Sequence, residues 1–233
     1  MKYFLAFIFL ASTLSLTRVQ AQIVSAIIND SDGYTNVREI ATIQSEIKDK
    51  FVDGEVFEFN SDDKFEKKNW ISVYLNRDSR SKCGQASKMM SSGFLHSSRL
   101  LPLSEIKTTY KRKRVSVNLI ELSSDNFKVF IETRKLSDKE NKELFYECLW
   151  GTDTGNPSNV IHKITIQIEQ ATFDLPTNAF NDLYKVTLDK SYLKKYKDFI
   201  YVTMSNSDGA GFYEVTWVFK ENKYLRRYIN QGP

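Results

Sequence analysis

Cysteine, proline and histidine are scarce in this 233-residue chain: two Cys, four Pro and two His. Cys83, Cys148, His96 and His162 stand singly, never at the paired spacing of a zinc site, so no metal is expected. Glycine is sparse as well, with nine residues and no Gly-rich loop to cradle a phosphate, and no cofactor is implied. So few prolines, set among many Lys, Asn, Ile, Phe and Tyr, argue against a disordered chain. An excess of one charge is missing too. The 33 basic residues face 29 acidic ones, a formal +4, whereas dedicated nucleic-acid binders carry a strong basic excess. After the first residues, no apolar run approaches the roughly 20 residues of a membrane-spanning helix.

The first residues are different. Lys2 precedes an unbroken apolar run from Tyr3 to Leu10, then Ser12, Thr13 and Ser15 dilute it. Val19 and Ala21 are small enough to fit a signal peptidase before a cut at Gln22. Residues 1–21 therefore read as a cleavable signal peptide, which predicts a periplasmic or secreted protein without a transmembrane segment. Loss of Lys2 and Arg18 lowers the formal charge from +4 to +2. In an oxidising compartment, Cys83 and Cys148 either pair as a disulfide or lie as two small buried hydrophobes.

Strand signals dominate the rest. Phe127, Val129 and Ile131 alternate with Lys128, Phe130 and Glu132. Ile164, Ile166 and Ile168 alternate with Thr165 and Gln167, and Tyr213, Val215, Trp217 and Phe219 with Glu214, Thr216 and Val218. This period of two predicts half-buried strands. Short connections near Glu169-Gln170 and at Lys220–Lys223 predict two antiparallel hairpins. Thr177–Tyr184, after Pro176, reads as a short helix capped by Thr177. The run Lys107–Arg114, just past Leu101–Ser104, reads as a solvated connector or an exposed strand edge that lysines keep from pairing. The other reading is a basic strip for an acidic polymer or lipid headgroups.

Four segments of the first half occur in a telling order. They are Ile28–Arg38 with Gly33, Tyr34, Asn36 and Arg38; Gly54-Glu55-Val56-Phe57-Glu58-Phe59; Asn69-Trp70-Ile71-Ser72-Val73; and Gly93-Phe94-Leu95-His96. This order resembles the bacterial SH3-like domain of exported proteins, over about residues 23–103. The resemblance implies a small barrel and a non-catalytic module that binds cell-wall peptide or a protein partner. Tyr34, Trp70, Tyr74 and His96 are then the candidates for a groove, against the alternative that Trp70 is core and Tyr34 a packed loop residue. The chain departs from the family in the long polar stretch Asn76–Ser92, which holds Cys83, Met89 and Met90.

Asn29-Asp30-Ser31-Asp32-Gly33 mimics a calcium loop, but Ile28 stands where the first carboxylate is needed, so a structural Asp turn is expected. Two more Gly- and Asp-rich loops, around Asp153 and at Ser205–Gly211, lie beside Trp150 and Trp217. Convergence of Asp153, Asn206 and Asp208 on a polar ligand or cation is one expectation for them, and plain turns the other. Cys148 and His162 lack any setting that marks a thiol–base pair, so no catalytic residue is assigned.

The expected architecture is thus mainly all-β: a signal peptide (1–21), an SH3-like barrel (22–104), and an antiparallel β-sandwich-like domain (105–233) with at most one or two short helices. The expected function is non-catalytic binding outside the cytoplasm. The alternatives are an envelope hydrolase with its site in the second domain, or an inhibitor or immunity-type protein.

Overall fold

The computed structural model describes residues 23–61, 69–77, 90–144, 148–152 and 157–231. The expected signal peptide, Cys83 and Asp153 lie outside these residues. The chain is mainly β, as expected, and its strands form three antiparallel sheets. The first sheet contains β1 (Ile23–Ile28), β2 (Tyr34–Arg38), β3 (Ile47–Val52), β4 (Val56–Asn60), β5 (Trp70–Asn76), β6 (Met90–His96) and β7 (Leu100–Pro102). Their order is β3-β2-β6-β5-β4-β1-β7, an open ladder rather than a closed barrel. The second half holds β8 (Lys111–Ser116), β9 (Leu119–Ser124), β10 (Phe127–Lys135), β11 (Asn159–Ile168) and β12 (Ala171–Asp174) in a five-stranded sheet. A four-stranded sheet follows, with β13 (Ser191–Tyr196), β14 (Phe199–Asn206), β15 (Tyr213–Lys220) and β16 (Lys223–Asn230).

Both expected hairpins form. In the β15–β16 turn, Glu221 and Asn222 both take positive φ, 49° and 64°, the backbone hand that matches the twist of paired strands. Residues Ile40, Ile43 and Ile47, spaced like a helical stripe, lie in turns and on β3 and are exposed. Lys111–Arg114 are four of the six exposed residues of β8, an edge strand.

The β14–β15 pair is buried on both faces, not one. Val202, Met204, Val215 and Trp217 enter one core together with Ile120, Val129, Ile131, Ile164 and Ile166 of the five-stranded sheet. The opposite side chains, Phe199, Tyr201 and Val218, enter a second core with Val37, Phe51, Phe57, Ile71 and Leu95 of the first sheet. The four-stranded sheet thus stands between two apolar cores, and the half-buried reading of β15 is corrected. Strands buried on both faces need near-continuous apolar sequence. Where Thr203 and Thr216 break that run, their hydroxyls bond each other at 3.0 Å, which satisfies two polar groups that burial would otherwise penalise.

The expected helix at Thr177–Tyr184 is only a 3-10 turn, Thr177–Ala179, whose N-cap is Pro176 with no side-chain bond. The sheet competes for this segment. Trp217 Nε1 donates to Ala179 O (2.9 Å), Tyr213 OH donates to Tyr184 O (2.9 Å), and Arg227 grips Asp182 through two bonds of 2.6 and 2.7 Å. The one α-helix among the described residues is α1 (Asp138–Glu143). It starts at a capping box: Ser137 Oγ accepts from Glu140 N, and the Glu140 carboxylate accepts from Ser137 N.

The seam between the halves is tight at Gly54, in the turn between β3 and β4. Its φ is +84°, and a Cβ there would stand 2.2 Å from the Phe199 ring. Gly54→Ala should therefore lower unfolding free energy by about 2–4 kcal/mol, through left-handed strain and overpacking together. Denaturant unfolding measures this loss, and an unchanged midpoint would refute the contact.

Candidate functional site

Three of the four aromatic and polar residues proposed for a groove come together. Tyr34 starts β2, Trp70 starts β5 and His96 ends β6, and all three line one recess of about 370 Å³. Strand alternation explains the placement. Thr35 and Val37 point inward, which leaves Tyr34, Asn36 and Arg38 on the outer side; Ile71 and Val73 point inward, which leaves Trp70 outside. Trp70 and His96 are directly paired across β5 and β6, and their rings meet edge to face at 5.8 Å. Trp70 is only half-buried, so it is not a core residue. Lys50 Nζ sits 3.8 Å above the Tyr34 ring, a cation–π contact that orients the phenol. Tyr74 is exposed on the same side of β5, but it is not part of this lining.

The floor of the groove is tied together by contacts from its first loop. Asp30 is buried; it accepts from Asp32 N and forms an ion pair with Arg99 at 2.6 Å. The Asn29–Gly33 segment is thus a structural turn, with Gly33 at φ 74°. Arg38 donates to Ser45 O at 2.6 Å, which ties the loop after β2. Gly93 permits the close approach of β6 to β2, since a Cβ there would lie 2.5 Å from Arg38 O.

The expected polar site of the second half is not assembled from described residues. Asp153 lies outside them. Asn206 is fully buried, and its side chain is spent on the fold: Oδ1 accepts from Thr187 N (2.8 Å), and Nδ2 donates to Met204 O. Asp208 is exposed ahead of the 3-10 turn Gly209–Gly211 and makes no cap bond. Among the described residues, no group of three or more His, Cys, Asp or Glu is placed to hold a metal. Cys148 is disulfide-bonded, so it offers no thiol, and His162 sits exposed at the bulge in the β10–β11 ladder.

A second cavity, of about 360 Å³, opens at the seam between the halves. Sequence reasoning missed it. Glu58 of β4 and Glu214 of β15 both face it, together with Ser25, Tyr192 and Asn230 and an apolar wall that includes Val24, Leu103 and Phe212. Glu214 is well served by hydroxyl donors: Ser25 at 2.7 Å, Ser205 at 3.0 Å and Tyr192 at 3.3 Å. Glu58 is not, because its Oε1 is buried without a partner. Burial, and then the Glu214 charge, push the Glu58 carboxyl up from 4.5 to about 7. Burial and the same charge push the Tyr192 phenol up as well. Each glutamate lies on a strand position that reads as solvated in the sequence, and nothing local announces that the two meet.

Compared with protein-family models, curated proteins and solved structures, the chain matches none.

The raised Glu58 carboxyl has a thermodynamic consequence. The folded state holds this proton more tightly than the unfolded chain, so the associated stability is full below about pH 4.5 and is lost as pH rises through about 7. Glu58→Gln should match the parent protein below pH 4.5 and exceed it at pH 8, by up to about 3 kcal/mol. Chemical unfolding across pH 4–8 reads this difference, and parallel curves for the two proteins would refute it.

Proposed function

We propose that this chain is an exported, non-catalytic binding protein, and that its ligand site is the groove formed by Tyr34, Trp70 and His96. The observation that carries this reading is convergence. Residues from three separate segments of the SH3-like pattern meet in one recess, with Asn36 and Arg38 of the same pattern beside them. Two aromatic faces, an imidazole and flanking charges of both signs suit a short peptide, either of cell-wall origin or within a protein partner. Aromatic rings at such a site supply large contact area at low entropic cost. Trp70→Ala should weaken binding to purified wall peptide by at least tenfold, and His96→Ala by less, while Asp208→Ala leaves it unchanged; titration calorimetry distinguishes these. Binding that survives both groove substitutions would overturn the assignment.

A second reading, an acid–base hydrolase, is favoured by the seam cavity alone. There a carboxyl pushed up to about 7 by burial faces a second carboxyl that is hydrogen-bonded by three hydroxyls, two unlike environments of the kind that general acid–base catalysis uses. Turnover of glycan or peptide substrate that is lost in both Glu58→Gln and Glu214→Gln would favour this reading over the first.

We also take the cysteine pair as a staple between the halves. Non-reducing peptide mapping should then recover Cys83 and Cys148 on one linked fragment of a monomer. A covalent dimer would instead assign the bond to two chains.

A further inference from the structure

The tip of the β8–β9 hairpin belongs to neither core. All six residues of β8 are exposed, Lys111 to Arg114 among them. Lysine on an edge strand is explained by protection from pairing, but the two valines that follow are not. Val117 is 82 % exposed and Val115 45 %. The β8–β9 register slips between Arg114 and Ser116, so Val115 sits in a bulge, and bulges re-aim side chains.

Beside this apolar tip lies a basic recess of about 370 Å³, lined by Arg114, Val117, Arg134 and Lys135. Thr133 N donates to Asn118 O at 2.8 Å, which fixes the end of β10 beside the turn. Asp189 lines the recess too and pairs with Arg114, while Glu140 pairs with Arg134. Both pairs are solvent-exposed. The single-contact Arg114–Asp189 pair is readily exchanged. Arg134 meets both Glu140 oxygens, at 2.7 and 3.1 Å, so an entering phosphate competes with that carboxylate for the guanidinium. Among the described residues, Lys111, Lys113 and Lys135 have no ion-pair partner.

We propose that this hairpin docks on a bilayer surface carrying anionic phospholipid. The headgroup phosphate enters the recess between Arg114, Arg134 and Lys135, and Val117 and Val115 enter the interface beside it. Guanidinium forks suit phosphate oxygens, and lysines near an anionic surface add attraction. The valines decide between partners. A soluble polyanion gains nothing from them, and no aromatic platform for nucleobases lines the recess. Two valines bury little area, so the attachment is reversible and dominated by charge. This inference concerns the opposite half of the chain from the groove and does not depend on it.

Co-sedimentation of the full chain with vesicles tests the proposal. Binding should require anionic lipid: phosphatidylcholine with roughly one-third phosphatidylglycerol should retain the protein, and phosphatidylcholine alone should not. Lys113→Gln and Lys135→Gln should each lower partitioning about fivefold, and added salt should lower it further. Val117→Ser should also weaken binding. Val117→Trp should strengthen it, with a blue shift of the added fluorescence on vesicles. The valines are exposed, so thermal unfolding should stay unchanged in these variants and separates lost binding from lost fold. Three results would overturn the proposal: no retention by anionic vesicles at low salt, equal retention by neutral ones, or binding indifferent to Val117 and matched by heparin.

Discussion

One constraint governs this molecule: a single four-stranded sheet must be apolar on both of its faces. Its strands β14 and β15 supply Val202, Met204, Val215 and Trp217 to one core and Phe199, Tyr201 and Val218 to the other. Each core therefore has a wall that it shares, through the backbone, with its neighbour. At roughly 25 cal/mol per Å² of apolar surface removed from water, neither side of such a sheet can be left exposed without a large loss. The tight turn at Gly54 follows from the same constraint, because the first sheet reaches Phe199 only where no Cβ intervenes.

Polar groups at the seam are consequences of this burial and mark where it ends. Thr203 and Thr216 bond each other inside the shared sheet. Two register positions further, on the same face, Ser205 and Glu214 oppose each other, and the wall opens into the cavity that also receives Glu58. At the other face, Arg227 is buried and carries its own counter-charge in Asp182. A buried pair of this kind adds little over an apolar pair, yet loss of one partner is costly. It therefore acts to hold residues 176–187 in one position over the core.

Much of this was legible in the sequence. Period-two alternation located β10, β11 and β15, and turn chemistry located both hairpins. The order of short motifs singled out Tyr34, Trp70, Tyr74 and His96, and all but Tyr74 line one recess. Other features were hidden for physical reasons. Thr203 and Thr216 look like a solvent face, because threonine is compatible with either side of a sheet and only its partner decides. Glu58 and Glu214 are distant in the chain, and outward carboxylates on strands are usually solvated. Asn206 looks like loop but ends a buried strand with its amide spent on backbone. The capping box at Ser137 and Glu140 was in plain view, yet α1 buries no residue, so no apolar stripe follows it for a periodicity reading to catch.

The order of the elements along the chain adds a consequence of the shared sheet. Residues 191–230 come after both of the sheets that they join. As the chain emerges in sequence, the first seven strands and the next five are each complete in backbone pairing, yet each still shows water one uncovered apolar face. Neither can be closed early, because the same strands cover both. Assembly is therefore gated at its final stage, and any delay there leaves two sticky surfaces rather than one. A protein built this way favours an all-or-none outcome, because neither core is complete until residues 191–230 are in place.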